Sequence, residues 1–290
     1  MREIKILFIV AFFTGLLYWG VEPFAHSKLH PHVEAPDYSF KDVQGLDGMV
    51  GNATAGAEIV ANNCTACHSI EVAGFPALMD NASNAAAYGV VPPDLSTAGK
   101  LYDANFLAAF VKDPAVATKT THKFEDGASH PMPGYSWMQP QEIADIVAYL
   151  QSIAPKEMTN KEVFANACQR CHSIKYGDFY GGSMAALTPD ANIKKYMGVV
   201  PPDLSQFIRS RGEEYLHEFI NNPQKHLEGT AMPRVGLTLE SEKQVIEYLT
   251  EVGDSKKAER EALGAPFLGY LVIFAIMAWA WKAKIWRKVH

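Results

Sequence analysis

Residues 62–70 read NNCTACHSI, and residues 166–174 read NACQRCHSI. Each stretch holds two cysteines separated by two residues, with a histidine directly after the second: Cys64, Cys67 and His68, then Cys168, Cys171 and His172. These are the chain's 4 cysteines, so none is left for a structural bridge. Working outward, the similarity continues. GVVPPDLS stands at 89–96 and again at 198–205; HPMPGYSWM at 130–138 answers to TAMPRVGL at 230–237; EIADIVAYL answers to EKQVIEYL. Landmarks recurring in one order are the mark of an internal repeat.

The residue types indicate the chemistry. Cys-x-x-Cys alone is shared by zinc sites and redox motifs. With histidine directly after, the pattern is that of covalent haem attachment, where the thiols take the vinyl positions and the histidine lies under the iron. Two motifs predict two covalently bound haem c groups. The rival reading is one zinc ion held by four cysteines, which leaves both histidines and the repeat unexplained.

A sixth iron ligand is sought among the methionines. Met132 lies 64 residues after His68 and Met232 lies 60 after His172, and each precedes a proline. Thioether ligation raises the reduction potential and suits one-electron transfer. A lone methionine is more often core filling, but the duplicated placement favours Met132 and Met232. Met138 and Met197 have no counterpart in the other copy. The proximal histidines need an acceptor for their second ring N–H. The carbonyls of Pro93 and Pro202 are candidates, against the reading of a plain turn. PPDLS also reads as a helix start, with Asp94 or Ser96 as cap.

The remaining histidines carry less. His26, His30 and His32 cluster near the N-terminus and read as solvent-facing or metal-binding. His122 and His130 stand close before Met132. His217 and His226 are expected at the surface or beside a haem.

The ends differ from the middle. ILFIVAFFTGLLYWGV (6–21) and APFLGYLVIFAIMAWAW (265–281) are uncharged apolar runs near the lower limit of a membrane span. The first reads as an anchor or a signal-like segment. Arg2 and Lys5 at one end, and Lys282, Lys284, Arg287 and Lys288 at the other, favour the cytoplasmic side. Residues 22–264 are then expected outside. The chain's net charge is −6. Setting aside residues 1–5 and 282–290 leaves 20 basic and 31 acidic side chains, which would steer a basic protein partner and repel nucleic acid.

The expected organisation is an N-terminal anchor at 1–21, a polar periplasmic stalk at 22–49, haem domains at 50–154 and 155–254, a linker at 255–264, a transmembrane helix at 265–283 and a basic tail at 284–290. The fold class is mainly α. Ile59 and Val60, and Val163 and Phe164, predict a short helix before each motif. Ile143, Ile146, Val147 and Leu150 predict a closing helix in the first copy; Val245, Ile246 and Leu249, with Thr238 as N-cap, predict one in the second.

Cys64, Cys67, His68, Pro93, Leu95 and Met132, repeated as Cys168, Cys171, His172, Pro202, Leu204 and Met232, resemble the class I c-type cytochromes over nearly all of residues 50–252. That resemblance implies tandem cytochrome c domains, and a proline carbonyl meeting each proximal histidine. The whole chain is similar to the di-haem cytochrome c (cytochrome c1-like) subunits of epsilon-proteobacterial quinol:cytochrome c oxidoreductase (bc1) complexes, through the tandem domains, the basic-ended C-terminal anchor and YWGVEPFAHSKLHPH. This implies an electron carrier in the bacterial inner membrane, not itself the quinol-oxidising site. It would sit beside cytochrome b, a Rieske iron–sulfur subunit and membrane lipid, and pass electrons to a periplasmic cytochrome c or terminal oxidase. The alternatives are a subunit of another membrane enzyme, such as a cbb3-type oxidase or a dehydrogenase, and a di-haem peroxidase, which would need an open iron.

Overall fold

A computed structural model describes residues 2–29, 40–124, 129–179, 194 and 197–289. The chain is mainly helical. Among the described residues no strand forms, only isolated antiparallel bridges at Ile70–Phe75, Tyr102–Leu237 and Ile174–Phe179. The chain divides into two units, Met1–Pro36 and Asp37–His290.

The first unit is helical throughout its described residues: α1 (Arg2–Leu16), a wider π turn (Leu17–Val21) and α2 (Glu22–Leu29). The anchor was expected to end at residue 21, but the helix runs eight residues further. The reason is local. Pro23 lacks an N–H and its ring crowds the preceding turn, and the π turn just before it relieves both problems. Within Arg2–Lys28 an 18-residue window has a mean hydropathy of 2.0, and the 27 residues are long and apolar enough to cross a membrane. His26 is exposed on α2; His30 and His32 lie outside the described residues.

The second unit contains both motifs. The first copy comprises α3 (Ala53–Asn63), α4 (Asn81–Tyr88), α5 (Ala98–Leu101), α6 (Ala104–Lys112), α7 (Pro114–Ala117) and α8 (Pro140–Ile153). The second comprises α9 (Asn160–Ala167), α10 (Phe207–Arg211), α11 (Glu213–Asn221), α12 (Pro223–His226) and α13 (Leu239–Gly253). Last comes α14 (Lys257–Val289), which takes in most of the expected linker; within Lys257–Arg287 an 18-residue window has a mean hydropathy of 1.9, and the stretch is also long and apolar enough to cross a membrane.

Each copy packs its opening helix on its closing helix. Asn52 caps α3 by accepting from the N–H groups of Thr54 and Ala55. In α8, Pro140 occupies the first turn and Glu142 accepts the Gln139 N–H at 2.7 Å. Val60, Ile70, Leu107, Ile143, Ile146, Val147 and Leu150 form the first core. The crossing of α3 and α8 is close because Gly56 has no side chain: a Cβ there would stand 1.9 Å from the Asp145 carbonyl oxygen. In the second copy Thr238 caps α13 by accepting from Ser241 N–H at 3.1 Å. Val163, Phe164, Ile174, Leu216, Val245 and Leu249 form the second core. Ile246, expected on that face, is only half-buried, whereas Tyr248 is buried with its ring 5.1 Å from that of Phe164.

The copies share a seam. Asp103 N–H donates to the Gly236 carbonyl at 2.9 Å, and Thr238 N–H donates to the Leu101 carbonyl at 2.9 Å. Leu101 of the first copy is a member of the second core. Gly236 has φ 74°, and a Cβ there would run into the Phe106 ring. Residues 40–49, expected as part of a stalk, are instead packed against this body. Phe40 is 1% exposed against Phe106, and Asp42 receives Arg234 at 2.7 Å and Lys119 at 2.9 Å. A buried aromatic ring and a two-cation carboxylate explain why this stretch does not stand free.

Candidate haem sites

The two motifs adopt one backbone turn. Cys64 ends α3, its N–H bonded to the Val60 carbonyl at 2.9 Å; Cys168 ends α9, bonded to Phe164 at 2.8 Å. His68 N–H then returns to Cys64 at 2.9 Å, and His172 N–H to Cys168 at 2.9 Å. A helix end followed by one further turn sets both thiols and the imidazole on a single short segment.

The histidines are held alike. His68 Nδ1 lies 2.7 Å from the Pro93 carbonyl oxygen, and His172 Nδ1 lies 2.9 Å from that of Pro202. A carbonyl can only accept, so Nδ1 carries the proton and Nε2 keeps its lone pair. Burial is the main influence pulling both imidazoles below their ordinary pKa, which favours the neutral, ligating form.

The proline corners are pinned from behind. Leu95 N–H donates to Ser69 O at 2.9 Å, and Leu204 N–H to Ser173 O at 2.8 Å. Asp94 accepts from Glu71 N–H at 3.0 Å and Ser96 N–H at 2.8 Å; Asp203 accepts from Lys175 N–H at 3.0 Å and Ser205 N–H at 3.0 Å. Burial alone would raise these carboxyls, but the bonds, led by Ser96 and Ser205, outweigh it and hold both below the usual range. The PPDLS segments are therefore not helix starts capped by their aspartates. The helices begin later, at Ala98 and Phe207, and Asp94 and Asp203 tie the proximal corner to the residues after the histidine.

The cysteines are half-buried. Cys64 is pushed up to about 11 and Cys168 to about 12, chiefly by burial and then by the neighbouring cysteine. No disulfide joins any of the four cysteines. Among the described residues no three His, Cys, Asp or Glu side chains converge as a metal cluster, so the four-cysteine zinc site does not form. A cavity of about 350 Å³ is lined by Cys64, Cys67, His68, Tyr135 and Met132 of the first copy. Two thiols, an imidazole with a free Nε2, a thioether and a largely apolar wall fit haem c.

The same cavity extends to Arg170, Cys171, Pro233 and Arg234 of the second copy. Cys168, His172 and Met232 are not on its wall, although Ala231 and Pro233, which flank Met232, are. Met138 is a core residue, 6% exposed. Met197 is half-buried, its sulfur 3.8 Å from Lys123 Nζ. His130 braces the methionine loop, with Nδ1 3.0 Å from Met132 O and 3.1 Å from Met132 N. Thr230 stands at the matching place, accepting the Met232 N–H at 3.3 Å. His217 meets Glu242 at 2.8 Å and His226 meets Glu218 at 3.2 Å, so both are engaged within the second copy. Arg170 and Arg234 are the functional residues that residue order does not locate; the one visible signal is Arg170's charge between two cysteines.

The cytochrome c family model matches residues 53–154. That stretch is a cytochrome c domain. Its family implies covalently bound haem c, for which Cys64, Cys67 and His68 supply the motif. Among solved structures, a chain of a "Hyperthermophilic respiratory Complex III" is similar at 19% sequence identity, covering 100% of this chain and 99% of that one, with a TM-score of 0.33. No curated protein matches.

Proposed function

We propose that the chain is a di-haem electron-transfer subunit of a respiratory bc1-type complex, anchored in a bacterial inner membrane with its haem domains in the periplasm. The observation that carries the second haem is the recurrence, at Cys168–His172, of the motif turn and of the bond from the histidine to a proline carbonyl. Haem c supplies reversible one-electron chemistry when bound. Cys64 and Cys67, and Cys168 and Cys171, would hold it covalently; His68 and His172 would ligate through Nε2. Met132 and Met232 would complete the coordination, leaving no position for a peroxide substrate. Pro93 and Pro202 fix the imidazole planes, and the apolar wall keeps water from the metal edge.

Two terminal helices that can cross a membrane support anchoring at both ends. The sequence resemblance supports cytochrome b and a Rieske protein as neighbours and a periplasmic cytochrome c or terminal oxidase as acceptor. Haem quantified per chain in the membrane-extracted complex, with a redox titration and identification of co-purifying subunits, tests the reading. Two high-potential c haems per chain beside a cytochrome b and a Rieske protein are expected. One haem per chain would overturn the tandem reading, and copper oxidase subunits in place of the Rieske protein would move the chain to an oxidase.

A further inference from the structure

Arg170 lies between the cysteines of the second motif, where the first motif has Ala66. Its side chain reaches into the other copy. Nη2 donates to the Val91 carbonyl of the first copy at 2.6 Å, across 79 residues of sequence. Val91 is buried, 6% exposed, and stands two residues before Pro93, whose carbonyl holds His68. Arg170 also lines both cavities at the seam, the one containing His68 and a second of about 620 Å³ that reaches Asp94 and Asn166. A guanidinium bonded to a carbonyl is a strong contact and a fixed charge that no pH change removes. Arg170 and His68 line the same cavity, so the arginine's charge stands on the wall of the first site. Ala66 has no polar side chain for a matching contact; from the first copy it is Lys123 that shares a cavity wall with Cys171 of the second motif.

We infer that Arg170 is a positioning residue through which the second motif sets the first site: it clamps the Val91–Pro93 corner and places a permanent cation on the wall of the first site, raising the reduction potential of the first haem. This rests on the two-haem reading above. A cation at short range disfavours the oxidised, more positive iron, and a partly buried one is screened weakly.

The test uses the full chain in detergent, with haem per chain quantified in every sample. Arg170→Gln keeps an amide able to reach a carbonyl but loses the charge; Arg170→Met is the uncharged substitute if the glutamine variant does not accumulate. The first haem is identified as the one whose midpoint is missing from a Cys64→Ser, Cys67→Ser chain. Expected in Arg170→Gln is a tenfold shift of the first haem's redox equilibrium towards the oxidised form, about 59 mV, with the second haem moving less. Arg170→Lys should recover most of it. With two haems per chain present, an unmoved first midpoint, a shift confined to the second haem, or a lysine variant as low as the glutamine one would each overturn the inference and leave the two-haem reading standing. One haem in the unaltered chain would instead overturn that reading.

Discussion

The two copies share their helices and their proximal corners, yet they fill one corresponding place in the core with opposite chemistry. In the first copy Ala108, Lys112 and Ile143 occupy three positions on α6 and α8, with Ile143 buried in an apolar cluster. In the second the matching residues are His217, Asn221 and Glu242 on α11 and α13. Glu242 is 0% exposed; Asn221 donates to its Oε2 at 2.5 Å and His217 Nδ1 lies 2.8 Å from Oε1. Burying a carboxyl group is costly unless both oxygens find partners. The fold therefore tolerates either an isoleucine that needs no partner or a glutamate with one oxygen bonded to Asn221 and the other, close to His217, left without a hydrogen bond. What stays constant is the proximal corner, where the His68–Pro93 and Leu95–Ser69 bonds have their counterparts in His172–Pro202 and Leu204–Ser173.

The largest expected effect probes what the copies share. Cys64→Ser with Cys67→Ser should abolish covalent haem in the first copy, and Cys168→Ser with Cys171→Ser in the second. The pyridine haemochrome signal per chain should halve in either case. If removing the second pair left the signal whole, the copies would differ in cofactor as well as in core.

Next comes the helix crossing, where the copies diverge. Gly56 lets α3 lie against Asp145 of α8; eight residues before the second motif's first cysteine, the matching residue is Asn160, whose amide reaches Glu247 and Glu251 at 3.2 and 2.9 Å. Gly56→Ala must push two backbones apart, and should cost about 3 kcal/mol or more, the upper range for overpacking. Asn160→Ala removes only exposed bonds and should cost about 0.5 kcal/mol. Thermal unfolding of the holo-protein checks both, and equal losses would show that the crossing is no tighter in the first copy.

Much of this was legible in the sequence, for physical reasons that also explain the rest. A covalent attachment motif must be contiguous, so Cys64–His68 and Cys168–His172 announce themselves, and the repeat of GVVPPDLS points to Pro93 and Pro202. Helical periodicity found α8 and α13 through Ile143, Ile146 and Leu150, and through Val245 and Leu249. Periodicity names a face, however, and not its partner. Glu242 lies on that same buried face but reads as solvated, because its partners sit on another helix. Phe40 reads as stalk until Phe106 and Arg234 are brought to it. Arg170 reads as a spacer between cysteines until its guanidinium is seen at Val91.

The buried glutamate gives a smaller, pH-dependent test. Burial, only partly countered by the bond from Asn221, pushes Glu242 up to about 7 from its ordinary 4.5. The native state then holds a proton that the unfolded state has released between those values, so stability is highest below about pH 4.5 and falls as pH rises towards 7. The fall amounts to about 3 kcal/mol at 1.36 kcal/mol per pH unit. Glu242→Gln removes this term, so the stability of the natural chain relative to the variant should shrink across pH 4.5–7 and level off above it. His217, lowered by burial, tilts both chains the opposite way below its ordinary 6.5. A pH-independent difference would mean that Glu242 stays ionised and that the His217 contact is an ion pair. The first copy, with Ile143 in that place, offers the control: a change at Ile143 should shift stability equally at every pH.

The smallest effect lies at the seam. Lys100 Nζ of the first copy meets Glu240 Oε2 of the second at 2.8 Å, with the glutamate side chain 67% exposed. An exposed pair of this kind contributes about 0.2–1 kcal/mol and weakens with salt. Beneath it, backbone bonds join Leu101 to Thr238 and Asp103 to Gly236, while Leu101 and Leu237 are buried at 2% and 0% exposure. The apolar contact should therefore hold the copies together and the ion pair should only trim it. Glu240→Ala is expected to leave both redox midpoints in place and to lower stability by about 0.5 kcal/mol at low salt, whereas Leu237→Ala should cost about 2–5 kcal/mol whatever the salt. If Glu240→Ala instead moved a midpoint, the seam would be held by charge, and the two copies would be less firmly joined than their shared core implies.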